Sequence, residues 1–366
     1  MSAQLQSSLP RVNTSFLPIL LKGHERSITT VKYNQDGDLI FTAAKDNTPT
    51  VWYSETGERL GTYSCHRGAV LDIDPSWDSR HVLTACADGS ARLFEATTGK
   101  YIARMPHNGA VRACAWGESS RQYATASDPF HSRDLGCLNI FDFPTEDVME
   151  QAPNPAQDPA PLHLPKHEIH VDDNDKAVCL GWTIADRHII AGFDSGNIVK
   201  YDTEYAKEVA RNTKVHRDRV NRITFNRDKT LLVTASRDCF AKMIDPNNLE
   251  IIKEYRTERP VNGAVISPTH PHVLVGGGQD AQSVTTTGAS SGKFETRFFH
   301  MIYGEEFGRV KGHFGPINAL AVHPYGKSYA SGSEDGFIRL HKFESSYLST
   351  PDLIPHDLKQ QNGAVF

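Results

Sequence analysis

Four times in this chain of 366 residues a histidine is followed 22 positions later by an aspartate: His24–Asp46, His66–Asp88, His216–Asp238 and His313–Asp335. Each time a hydroxyl residue stands four places before the aspartate, as Thr42, Thr84, Thr234 and Ser331. A polar trio repeated at fixed spacing restricts the fold more than composition can. It marks an array of supersecondary units, each too small to bury its own apolar face and therefore stacked on its neighbours.

Residues 23–52 show how one unit is built. They open on Gly23-His24, pass through an alternating apolar segment, turn at Asn34-Gln35-Asp36-Gly37, run through a second segment to Asp46 and close on Val51-Trp52. A unit that begins with Gly-His and ends with Trp about 30 residues later resembles a WD repeat, one blade of a β-propeller. The residue types imply a buried relay. Asp46, in the tight turn between the second and third strands, accepts a hydrogen bond from His24; His24 reaches the Thr42 hydroxyl, and Thr42 the indole N–H of Trp52. Every polar group is then partnered, where an orphan would cost ~1–3 kcal/mol. At the Trp52 position the other units carry Phe94, Ile244 and His341, so they are expected to keep the trio without the indole. The trio also imitates a catalytic triad by residue type. An active site would need it once, and four copies favour a structural network.

A second pattern counts the blades. An apolar residue, two spacers, another apolar residue, one spacer and a third recur at Ile28-Val31-Tyr33, Val111-Cys114-Trp116, Ala177-Leu180-Trp182, Val220-Ile223-Phe225, Val261-Ala264-Ile266 and Ile317-Leu320-Val322. Val70-Ile73 gives a seventh, closed by Pro75. These starts are spaced by 42, 41, 66, 43, 41 and 56 residues, against an ordinary period of about 40–45. The long gaps place insertions before the fourth blade and within the sixth.

The expected fold is therefore all-β, a seven-bladed WD-repeat β-propeller of four-stranded antiparallel blades. The short strand Ile19-Leu20-Leu21 is expected to join the last blade beside residues 337–343, closing an otherwise open edge. The propeller is assigned to residues 16–345. Residues 144–175, with Pro144, Pro153, Pro155, Pro159, Pro161 and Pro165, are expected as a solvated insertion and not a strand. Residues 1–15 and 346–366 are expected to be disordered ends. Blades four and six lack a well-placed Gly-His, and blade four offers only Asp194.

Composition excludes several classes of function. Hydrophobic residues at 39% suffice for a packed core. Net charge −5 and pI near 6.4 argue against a broad nucleic-acid surface, although Arg217, Arg219, Arg222 and Arg227 form a local basic run. No apolar run of about 18 residues suggests a membrane span, and the N-terminus lacks an apolar signal core. Cys65, Cys86, Cys114, Cys137, Cys179 and Cys239 show no C-x-x-C pair and read as small buried hydrophobes of a reduced, intracellular protein.

The chemical motifs have plainer explanations. Gly288-Ala289-Ser290-Ser291-Gly292 fits a nucleophile pattern but lies in a Thr/Ser/Gly loop without the strand and helix it needs. Gly276-Gly277-Gly278 lacks the spacing of a phosphate loop. His163, His167 and His170 sit in the Pro-rich segment without metal-ligand geometry. No catalytic residue, metal or cofactor is assigned, and the chain is expected not to be an enzyme.

Beyond the repeat, the runs GHERSITTVKYN, GDLIFTAAKD, VWYSETGERLGTY, RTERPVN, GGGQDAQSVTTT, GKFETRFFH and EEFGRVKGHFGPIN resemble subunit i of eukaryotic translation initiation factor 3 over about residues 18–345. The resemblance implies a non-catalytic scaffold in the cytoplasmic initiation machinery. It implies that the b subunit docks through a helical C-terminal segment and the g subunit through an extended N-terminal segment. It places the b contact on the side of blades five and six, where Asp228, Asp245 and Gln279 match family positions. Asp228 and Asp245 equally suit turn residues. A different propeller adaptor, in signalling or ubiquitin-ligase substrate recognition, is the alternative function.

Overall fold

The computed structural model describes residues 17–129, 135–145, 161–171, 175–278 and 294–349. The 1–15 extension, Gln279 and the Gly288–Gly292 motif lie outside them. Among the described residues, 28 strands form seven four-stranded antiparallel sheets. Within each blade we call the strands a to d from the channel outward. The a strands of successive blades touch around the ring, and blade seven's returns to blade one's. Hairpin turns alternate between two faces. One, the relay face, carries the b–c turns and the loops leading into strand a; the far face carries the a–b and c–d turns.

The counting pattern of the sequence has a physical origin in strand a. In a regular strand, same-face residues fall at i, i+2 and i+4, yet the observed spacing was i, i+3 and i+5. All seven a strands are bulged after their first residue: the register shifts between Ile28/Thr30, Val70/Asp72, Val111/Ala113, Ala177/Cys179, Val220/Arg222, Val261/Gly263 and Ile317/Ala319. A bulge inserts one unpaired residue and re-aims its side chain. Here the extra residues are Thr29, Leu71, Arg112, Val178, Asn221, Asn262 and Asn318, and all seven line the channel mouth on the relay face. The bulge leaves Ile28 and Val31 together in the core.

The ring closes as the sequence implied. Strand Ile19–Leu21 is the d strand of blade seven, with Ile19 opposite Leu340 and Leu21 opposite Ile338. The turn before strand b of blade one needs its glycine: Gly37 has φ +76°, and a Cβ there would lie 2.5 Å from His323 of blade seven.

Two expectations are corrected. Residues 144–175 are not loop throughout, because His167–Val171 is blade three's d strand, paired with Gly136–Asp142. Outer strands need little apolar sequence, and in this one Ile169 and Val171 alone are buried. The chain also stays ordered beyond 345, in a one-turn helix Ser345–Ser349. Tyr347 anchors it, stacked on Phe343 at 4.6 Å between centroids and bonded to His272 Nδ1 at 2.7 Å.

Candidate functional site

Blade one contains the full relay. His24 Nδ1 meets Asp46 Oδ2 at 2.8 Å, His24 Nε2 meets Thr42 Oγ1 at 2.8 Å, and the Trp52 indole donates to Thr42 Oγ1 at 2.8 Å. Blade five keeps the trio, with His216 2.9 Å from Asp238 and 2.7 Å from Thr234. Burial alone would raise the Asp46 pKa. The His24 hydrogen bond and charge, with the backbone N–H groups of Thr48 and Glu25, bring it down to about 2.

Blade two departs from the expected trio. His66 Nε2 still reaches Thr84 at 3.0 Å, but His66 Nδ1 accepts from Arg92 Nη1 at 2.5 Å, and Asp88 pairs with Arg92 at 2.8 Å. Burial and the guanidinium lower the His66 pKa to about 3. The ring is thus neutral with its proton on Nε2, the opposite tautomer from a histidine that donates Nδ1–H to an aspartate. Blade seven is mixed: His313 contacts Asp335 at 3.2 Å and Ser331 at 2.7 Å, while Arg339 pairs with Asp335 at 3.0 Å and also contacts His313 Nδ1. Both arginines stand four residues after the aspartate, a signal present in the sequence.

One relay was missed. In blade three His107 Nε2 meets Thr125 at 3.0 Å and Asn139 Nδ2 faces His107 Nδ1 at 3.3 Å. Asn139 stands opposite Thr125, the strand-c position that Arg92 and Arg339 hold opposite Thr84 and Ser331. Pro129 stands 22 residues after His107, so the 22-residue spacing fails. The 18-residue spacing from histidine to hydroxyl holds in all five relays. Asp128 instead pairs with Arg112, and in blade four Asp194 lies 3.7 Å from Arg219.

The channel is braced by polar contacts. Asn221 donates to the Val261 carbonyl, Asn262 to that of Ile317, Asn318 to that of Ile28, and Thr29 to that of Val70, linking blades five, six, seven, one and two in succession. Deeper, Arg222 of blade five crosses to Asp72 of blade two at 2.9 Å and to Thr30 at 2.8 Å. Lys32 binds Asp74 at 2.7 Å. The cavity left at the mouth is about 460 Å³. The basic run in the sequence is therefore not one surface: Arg222 is spent in the channel, and Arg227 lies over the Tyr325 ring.

At the rim, Asp228 is exposed in the a–b turn of blade five, and its carboxylate has no hydrogen bond or ion pair among the described residues. Asp245 lies in the c–d turn of the same blade and on the same far face. It accepts from the Asn247 backbone N–H at 2.8 Å and side-chain amide at 3.0 Å, so it shapes its turn. Gln279 lies outside the described residues, so of the three positions only Asp228 and Asp245 are placed, together on the far face. The far face of blade six adds exposed Ile302 and Tyr303.

The three histidines considered as ligands do not converge. His163 Nε2 donates to the Asp142 carbonyl, while His167 and His170 stand at strand positions that face opposite sides. Cys86, Cys114 and Cys179 are buried, but Cys65 is exposed and Cys137 and Cys239 are half-buried. No helix among the described residues is long and apolar enough to cross a membrane.

Repeated relays, bulged inner strands and strand-exchange closure define a seven-bladed WD-repeat propeller. A family model described as EIF3I matches residues 16–351. Similar curated proteins carry the name eukaryotic translation initiation factor 3 subunit I. That of Xenopus tropicalis is 47% identical over 331 residues, covering 90% of this chain and 97% of its own; that of Homo sapiens is 46% identical over 334 residues, covering 90% and 97%. That of Bombyx mori is 45% identical over 332 residues, covering 90% and 96%. The chain belongs to the subunit I family of eukaryotic translation initiation factor 3.

Proposed function

We propose that this protein is a non-catalytic scaffold subunit of initiation factor 3 in the cytoplasm. It holds the b subunit through a helical segment and the g subunit through an extended one, and supports assembly of the initiation complex on the small ribosomal subunit. Kinship at 46–47% identity over nine-tenths of the chain supports the initiation role. The single observation favouring a docking rim is Asp228, an exposed carboxylate without a partner on the far face, beside a blade that exposes Ile302 and Tyr303. An amphipathic helix with a basic anchor suits such a surface, the charge giving specificity and association rate and the apolar side chains area.

The test has two parts. Affinity capture of the tagged chain from nuclease-treated lysate should return the b and g subunits in near-equal amounts; their absence would refute the scaffold reading. Asp228→Lys should weaken binding of the b subunit about tenfold, ~1.4 kcal/mol, without altering the circular dichroism spectrum. Unchanged affinity would remove Asp228 from the interface. Asp245→Lys is a poorer probe because it also removes a turn cap.

A further inference from the structure

Blade three brings three metal-ligating side chains of different chemistry to one side of its outer strand pair. Cys137 of strand c stands directly opposite His170 of strand d, and Asn139 directly opposite Glu168. Alternate residues of a strand share a face, so all four project to the same side. Cys137 Sγ is 3.3 Å from His170 Nδ1. The sulfur, an imidazole nitrogen and a Glu168 carboxylate oxygen lie within 4.8 Å of one another. Tetrahedral zinc, with bonds of ~2.3 Å to sulfur and ~2.0–2.2 Å to nitrogen or oxygen, sets its ligand atoms about 3.3–3.7 Å apart. Small side-chain rotations span the difference.

A second observation points the same way. Asn139 is 5% exposed, gives its Nδ2 to His107 and leaves a buried Oδ1 without a donor. It neighbours a carboxylate that can only accept and a sulfur whose single proton serves at most one acceptor. Among the described residues the group is rich in acceptors, and no Lys or Arg contacts it.

We propose that the Gly136–Asp142 and His167–Val171 strand pair is a Zn²⁺ site, with the Cys137 thiolate, His170 Nδ1 and a Glu168 carboxylate oxygen as ligands and water in the fourth position. Mixed sulfur, nitrogen and oxygen donors suit zinc and do not suit calcium or magnesium, which take oxygen. The other cluster of suitable residues, His66, Cys86 and Asp88, is already committed: Arg92 occupies both His66 Nδ1 and Asp88. The ligand form of cysteine is the thiolate, so the thiol proton must leave when metal binds. Binding then releases one proton from sulfur to solvent, and affinity rises with pH. The metal would fasten the d strand to strand c at the relay-face end of the pair, where Cys137 stands opposite His170.

The test uses the full chain, reduced and stripped by a chelator, with Co²⁺ as spectroscopic probe and Zn²⁺ as competitor. The expected result is one equivalent of Co²⁺, a sulfur-to-cobalt charge-transfer band, release of one proton, and displacement by Zn²⁺. Cys137→Ser should abolish the band, and His170→Asn should weaken binding at least tenfold. Glu168→Gln should do the same while keeping the thiol, which guards against a cysteine variant that misfolds. Cys65→Ser and Cys239→Ser should leave binding intact. No band in the wild type at tenfold metal excess would overturn the proposal. So would a band that survives Cys137→Ser, or unchanged affinity in Glu168→Gln.

Discussion

Replacing Thr42 by valine tests whether the relay contributes to stability or merely fills space. The substitution keeps shape and β-branching but deletes the hydroxyl at a position with no solvent exposure. Two groups lose their partner: the Trp52 indole N–H and His24 Nε2, each 2.8 Å from Thr42 Oγ1. At ~1–3 kcal/mol for each buried polar group left unpaired, the cost should be about 2–6 kcal/mol. That is a large part of the ~5–15 kcal/mol typical of a folded protein. The comparison that isolates the indole is Thr84→Val in blade two, where Phe94 occupies the tryptophan position and His66 Nε2 alone is orphaned. Both hydroxyls lie 3.2 Å from the carbonyl eight residues on. Thr42 gives its one proton to His24, while Thr84, which accepts from His66 Nε2–H, has its proton free for the carbonyl, so that bond adds to the cost of Thr84→Val and narrows the gap. Equilibrium urea unfolding, followed by circular dichroism, should show Thr42→Val less stable than Thr84→Val by up to about 1–3 kcal/mol. Thr42→Ser, which keeps the oxygen, should lie much closer to wild type. Equal losses in the two valine variants would show that the indole hydrogen bond adds no more than the Thr84 carbonyl bond, and the relay argument would fail at its last link.

Three further outcomes follow from the same geometry. Arg222→Met should cost up to about 3–5 kcal/mol because it removes the guanidinium paired with the buried Asp72 carboxylate, which keeps only Thr30, the Cys114 N–H and the charge of Lys32. Adding Asp72→Asn should restore a measurable part in a double-mutant cycle; strictly additive losses would deny the cross-channel pair. Deleting residues 1–22 removes strand Ile19–Leu21 and bares the edge of Ile338–Lys342, so size-exclusion chromatography should show self-association; a stable monomer would refute this. On acidification, stability should begin to fall near pH 6.5, because the unfolded chain protonates histidine there while burial and Arg92 keep His66 neutral to about 3 and burial keeps His107 neutral to about 4. A second loss should begin below about pH 4 and run toward 2, because the folded-state pKa of Asp46 is depressed and its contribution vanishes as it protonates. A urea midpoint unchanged from pH 7 to 4.5 would contradict the first part.

Where a feature was legible in the sequence, its chemistry was local to one blade. The relays of blades one and five could be read because one hairpin turn holds the aspartate and one loop the histidine, fixing their spacing. In blade two the spacing was intact and the geometry still differed. Arg92, four residues beyond Asp88, binds Asp88 and His66 Nδ1 together, and a charge-assisted pair prevails over a neutral one. Strand His167–Val171 escaped notice because an outermost strand buries few side chains, and it follows directly on a run of prolines that reads as a loop. Asp228 and Asp245 have the same residue type in neighbouring turns, yet one caps its turn and the other is left without a partner. Sequence spacing alone could not separate them.

The channel was illegible for a different reason. Arg222 and Asp72 are 150 residues apart, and neither residue lies in a pattern that names the other. Their pairing depends on ring closure, which places the a strands of blades two and five across the axis. The bulges supply the rest: each extra residue turns inward, and where that residue is Asn or Thr it donates to the next blade's carbonyl. Leu71, Arg112 and Val178 form no such bond to the following blade among the described contacts. The hydrogen-bonded arc therefore runs from blade five through blade one to blade two. Between blades three and four the junction relies on apolar packing, on the Trp182 indole, which donates to Ala115 O at 2.9 Å, and on the far-face turns, where Asp186 accepts from the Glu118 and Ser119 N–H groups at 2.6 and 2.9 Å. One propeller thus joins its blades by two kinds of chemistry, and the blade with the proposed metal ligands lies on the side without the asparagine links.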